Sequence, residues 1–93
     1  MAMLDDIKDV LRISGTTLNT EVTDLIAAAR TDLILSGVLA TKANSDTDAL
    51  IKRAISTYCK ANFGWDNPEA ERFQSAYNML KNHLCLSSEY TTV

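Results

Sequence analysis

Three glycines cut this chain into helices. Gly15 follows Leu11-Arg12-Ile13, Gly37 follows Leu33-Ile34-Leu35, and Gly64 follows Ala61-Asn62-Phe63. Each stands where a helical apolar repeat runs out. Glycine reaches the left-handed conformation that closes a helix. The single proline, Pro68, suits a first helical turn. This punctuation predicts helices near residues 3–13, 20–36, 46–63 and 68–85. It also leaves no glycine for a phosphate-cradling loop, which removes nucleotide chemistry of that kind.

The spacing of apolar residues agrees. Leu4, Ile7, Val10 and Leu11 share one stripe of the first segment, with Asp5, Asp6, Lys8, Asp9 and Arg12 facing away. Leu18, Val22, Leu25, Ile26, Ala29 and Leu33 recur at helical spacing in the second, where Ala27-Ala28-Ala29 permits close approach of another helix. Asn19 or Thr20 can cap its start, and Val38 is placed to cover Leu33 beyond Gly37. Residues 38–45 read as a polar connection, ending in a Ser45/Asp48 capping pair. Leu50, Ile51, Ala54, Ile55 and Tyr58 line the third helix. Asn67 is the expected N-cap of the fourth, with Asp66/Glu69 as the competing pair. Phe73, Tyr77, Leu80 and Leu84 line that last helix. The expected core is Leu11, Leu25, Ile26, Ala29, Leu33, Ile51, Ile55, Tyr58, Phe73, Tyr77 and Leu80. The fold class is therefore all-α: a single small domain of four helices over residues 1–86, with a flexible C-terminal tail over residues 87–93.

With 93 residues there is room for one domain, and its limited core makes oligomerisation an advantage. The net charge of −3 argues against a DNA-coating protein. That charge is uneven: residues 1–36 carry net −3, residues 37–64 net +2 and residues 65–93 net −2. A basic middle between acidic ends allows copies to attract one another head to tail. Scattered solvated charge is an equally good reading. Cys59 and Cys85 form no Cys-x-x-Cys motif and suit a reducing interior. Asp5, Asp6, Lys8 and Asp9 interrupt any leader-like apolar run, and no stretch approaches membrane-spanning length. A soluble protein made in a cytoplasm is expected.

Chemistry-bearing residues are few. His83 and Cys85 lie two apart on a helix and point in different directions, and zinc needs four ligands. One histidine without an adjacent nucleophile and orienting group makes a poor catalytic centre. The expectation is no enzyme, no metal site and no cofactor. Lys52 and Arg53, with Lys60 two turns on, suggest a basic patch for an acidic neighbour or passing DNA; for each residue alone, a solvated face is the simpler reading. Trp65 in the corner, and Leu86, Tyr90 and Val93 in the tail, are apolar groups that packing or a partner would have to cover.

The run Leu4-Asp5-Asp6-Ile7-Lys8-Asp9-Val10-Leu11-Arg12-Ile13-Ser14-Gly15 resembles the opening of the phage head–tail connector family, also described as DNA-packaging proteins. Asp24-Leu25-Ile26-Ala27-Ala28-Ala29-Arg30-Thr31-Asp32-Leu33 resembles that family's second helix. The segment from Tyr58 to Ala70, then Phe73, Tyr77-Asn78-Met79-Leu80-Lys81 and His83-Leu84, continue the likeness over nearly the whole chain. The resemblance implies a structural adaptor of a tailed phage or prophage. Such an adaptor forms a ring, dodecameric in the virion, beneath the portal; it extends the DNA channel and receives the next neck or tail-completion protein. It implies a virion protein with no cofactor, passing non-specific contact with duplex DNA, and no membrane partner. On that basis Leu86, Tyr90, Val93 and Trp65 are candidates for the portal or neck interface. Lys52, Arg53 and Lys60 are candidates for the subunit interface or channel. The alternative is a small cytoplasmic helical binding module or transcriptional regulator.

Overall fold

The computed structural model describes residues 3–64 and 67–92, and among them the backbone forms helices and no strand. In chain order the helices are α1 (Met3–Leu11), α2 (Asn19–Leu35), α3 (Ala40–Ala43), α4 (Ala49–Asn62), α5 (Ala70–Leu86) and α6 (Ser88–Thr91). The four long helices are the expected ones. The two single-turn helices correct the expectation, since α3 lies in the supposed polar connection and α6 in the supposed flexible tail. Both form because they carry apolar side chains into the core: Val38 and Ala43 around α3, and Tyr90 within α6, are buried.

Helix α4 is the centre of the arrangement and packs against α1, α2 and α5. Its inner face, Ile51, Ala54, Ile55 and Cys59, is completely buried. Ile7 from α1, Val22, Ala29 and Leu33 from α2, and Tyr77 from α5 complete the core. Leu11, Leu25, Tyr58 and Leu80, all expected inside, are only partly buried at its margin, and Phe73 is half-buried. Met3, Ala43, Cys59 and Tyr90 belong to the core as well. In the alanine run only Ala29 faces inward, while Ala27 and Ala28 are exposed.

Helix ends follow local chemistry, with several shifts from expectation. At the end of α2, Val38 N–H donates to Leu33 O at 3.0 Å and Gly37 N–H to Ile34 O at 3.1 Å. Gly37 sits at φ 119°. This pair of bonds satisfies carbonyls left free at a helix end, and Val38 and Leu33 are buried in the same core. Helix α1 stops by the same pattern, but earlier than Gly15: Ile13 N–H donates to Lys8 O at 2.9 Å and Arg12 N–H to Asp9 O at 3.1 Å. Arg12 therefore takes the left-handed position, at φ 60°. Asp48, rather than Ser45, caps α4, accepting from Leu50 N–H at 3.0 Å and Ile51 N–H at 3.1 Å. Ser45 Oγ closes the preceding turn by accepting from Thr47 and Asp48 N–H. Asn67 likewise acts before its helix, accepting from Glu69 N–H and donating to Lys60 O. No side chain caps the N-terminus of α2 or α5. The rival cap Asp66 lies outside the described residues.

Two substitutions should move stability in opposite directions. Arg12→Gly should stabilise by about 0.5–1 kcal/mol, because it relieves a left-handed side-chain residue on an exposed turn. Gly37→Ala should cost about 1 kcal/mol or more. A Cβ at Gly37 would meet nothing within 4 Å, so that cost is torsional and not a clash. Urea midpoints of the two variants against the parent measure both signs.

Candidate functional site

The clearest concavity lies between the end of α1 and the outer face of α4. Val10, Thr47, Ala49, Lys52, Arg53, Ser56 and Thr57 line a groove of about 460 Å³. The Asp48 cap fixes where α4 begins, and helical spacing then sets Ala49, Lys52, Arg53, Ser56 and Thr57 on one outward strip. Val10 completes the wall because α1 packs beside α4. The Ser56 and Thr57 hydroxyls donate back to Lys52 O and Arg53 O, each at 2.8 Å. Their oxygens keep free lone pairs.

The two cations of the groove are not equivalent. Lys52 Nζ lies 2.9 Å from Asp6 Oδ2, an ion pair whose geometry is too bent for an aligned hydrogen bond. That pairing ties α4 to α1 and half-covers the lysine. Arg53 is exposed and has no ion-pair partner among the described residues. Lys60, expected to join them, does not line the groove: its ammonium sits 5.4 Å from the Phe73 ring centroid, toward α5. The basic patch is thus a pair with one free member. Such a surface can accept an acidic or hydrogen-bonding group beside the apolar Val10 and Ala49.

The tail is built differently from the expectation. Tyr90 is 5% exposed, and its hydroxyl donates to both carboxylate oxygens of Asp48 at 3.0 Å. Leu39 N–H donates to Tyr90 O at 2.8 Å, and Lys42 lies over the ring at 5.9 Å. Burial first, then the bond to Asp48, pushes the Tyr90 hydroxyl up to about 12. Tyr90 is therefore a clasp holding α6 onto the start of α4, not an exposed anchor. Leu86, by contrast, is 87% exposed. Trp65 and Val93 lie outside the described residues.

Two polar contacts and one exposed leucine escaped the sequence reading. Asp32 on α2 accepts from the Tyr77 hydroxyl at 2.5 Å and from Lys81 Nζ at 3.1 Å, which joins α2 to α5. Arg30 donates to Ala43 O, Ser45 O and Asp46, fastening the α3–α4 connection to α2. Leu35 is 81% exposed at the end of α2. The last had a visible signal: Leu33-Ile34-Leu35 is apolar all round, so part of it must face outward. The other two depend on pairs 13 to 49 residues apart in sequence.

Burial pushes the Cys59 thiol up to about 12, so it is a neutral core group. Cys85 Sγ lies 3.1 Å from Ser36 O, where it can donate. Among the described residues no three His, Cys, Asp or Glu side chains converge as metal ligands, and no helix is long and apolar enough to cross a membrane.

The Asp32 contact has a pH signature. Burial raises its carboxyl, but the Tyr77 hydroxyl and then Lys81 outweigh that and hold it below the ordinary value. A lowered folded value means stability that is complete above about pH 4 and is lost as pH falls through the folded value. Tyr77→Phe should cost about 1 kcal/mol at neutral pH, the site being partly screened by solvent. It should also flatten the loss from about pH 4 downward, read from urea midpoints. The clasp gives a second expectation. Tyr90→Phe should lower stability by about 1–2 kcal/mol, because it strips a buried partner from a carboxylate. Removal of residues 87–93 should lower the melting temperature further, as calorimetry would show.

The chain matches the family model described as phage connector protein over residues 3–91. Neither a curated protein nor a solved structure matches it. The match covers nearly the whole sequence, and the chain belongs to the phage connector protein family.

Proposed function

We propose that this phage connector protein is the head–tail adaptor of a tailed phage or prophage. Copies form a ring beneath the portal, extend the channel through which DNA passes, and present a surface to the next neck or tail-completion protein. The observation that carries this reading is the family match over residues 3–91. The role needs shape and surface rather than chemistry, so the protein works without catalysis or a cofactor. It is a component of the virion.

The surface chemistry supports the reading in two ways. Leu35 and Leu86 are more than four-fifths exposed, which leaves aliphatic area for partners to cover. Trp65 and Val93 serve the portal or neck interface, while Leu86 is left for a neighbouring copy. Lys52, Arg53 and Lys60 serve the subunit boundary or channel. The exposed cations among them are few enough that passing DNA is held weakly and non-sequence-specifically.

The test is reconstitution. The full chain is mixed with purified portal assemblies, and complexes are examined by electron microscopy and sedimentation. Added density in a ring on one face of the portal is the expected result. Failure to bind portals, together with tight, sequence-selective duplex binding that falls steeply with salt, would instead establish the small regulator.

A further inference from the structure

The groove on α4 carries half of a contact, and the chain carries the other half elsewhere. Arg53 is the groove's free cation. It is flanked by the Ser56 and Thr57 hydroxyl oxygens and by the apolar pair Val10 and Ala49. An occupant should therefore bring an acid next to an aliphatic side chain. At the α5–α6 junction the chain displays that combination. Leu86 is 87% exposed, and Glu89, three residues on, is exposed and has no ion-pair partner among the described residues.

The junction is presented rigidly. Ser87 breaks the helix with φ −93° and ψ 124°, and the Tyr90 clasp on Asp48 holds the turn that follows. Leu86 and Glu89 are thus fixed without packing into their own domain, so docking them costs little ordering entropy. Within one copy Glu89 makes no ion pair with Arg53. We infer that the α4 groove receives the Leu86–Glu89 junction of a second copy, Glu89 meeting Arg53 while Leu86 covers Val10 and Ala49. The two surfaces are different patches of the chain, so the contact either closes reciprocally in a two-fold pair or repeats into a ring or filament. Charge complementarity sets the register, and burial of Leu86 supplies the apolar part. This contact rests on the adaptor reading for its purpose, but its existence is tested separately.

The full chain is followed by sedimentation velocity across a concentration series at low and moderate salt. Self-association that weakens with salt is expected. Arg53→Glu and Glu89→Arg should each weaken it about tenfold or more, and the two combined should restore it. Leu86→Ser should weaken association at nearly unchanged melting temperature, since that side chain is 87% exposed in its own copy. A chain that stays monomeric throughout, single reversals without effect, or a combined variant that fails to recover would each overturn the contact. Portal binding distinguishes the two readings. A monomeric chain that still docks on portals overturns this contact and leaves the adaptor reading standing. Charge-swap-dependent association without portal binding does the reverse.

Discussion

Burial of one strip of α4 organises the whole domain. Ile51, Ala54, Ile55 and Cys59 are withdrawn completely from solvent, and each of the other three long helices packs against the helix that carries them. Ala54, like Ala29 on α2, keeps its position thin enough for close helix packing. A 93-residue chain has few core layers to spare. Most of its driving force must therefore come from this single shared surface. The outer strip of the same helix is left to carry the groove, so the element that stabilises the fold also displays a concave surface.

Polar contacts then choose how the helices sit. Asp48 is the clearest example, since one carboxylate caps α4 and accepts the Tyr90 hydroxyl. The start of the central helix and the end of the chain are consequently fixed by the same group. Arg30 fastens the α3–α4 connection, and Asp32 ties α2 to Tyr77 and Lys81. Apolar burial is non-directional. These few directional bonds define register between elements that would otherwise slide.

The surface shows the consequence for a connector. Lysines and arginines are mostly occupied within the chain, by Asp6, Asp32, Asp46 and Glu69, or by the Tyr90 and Phe73 rings. Exposed acids such as Asp5, Asp9, Glu21, Asp24, Glu71 and Glu89 carry no such pairing among the described residues. Arg12 and Arg53 are exposed arginines with no ion-pair partner among the described residues, and leucines stand exposed at the tips of α2 and α5. Protein partners suit this pattern better than a polyanion does, because broad acidic exposure repels phosphate.

Much of the architecture was legible in the residues alone. Apolar spacing identified α1, α2, α4 and α5, since period 3.6 is a local property of the chain. Gly37 and Val38 marked the end of α2 because that closure uses only neighbouring residues. Legibility stopped where distant residues decided the outcome. Arg12 took the left-handed turn ahead of Gly15, because packing of α1 set where that helix had to end. The segments around Val38 to Ala43 and Ser88 to Thr91 looked like a connection and a loose tail. They became helices because the core had room for Val38, Ala43 and Tyr90. The candidate site divides in the same way: sequence marked Lys52 and Arg53 as neighbours on one helix. Only the fold gave Lys52 to Asp6, turned Lys60 toward Phe73, and left Arg53 free beside a groove. Local spacing determines which helix a residue belongs to, whereas its partner is chosen by whichever distant side chain packing brings within a few ångströms.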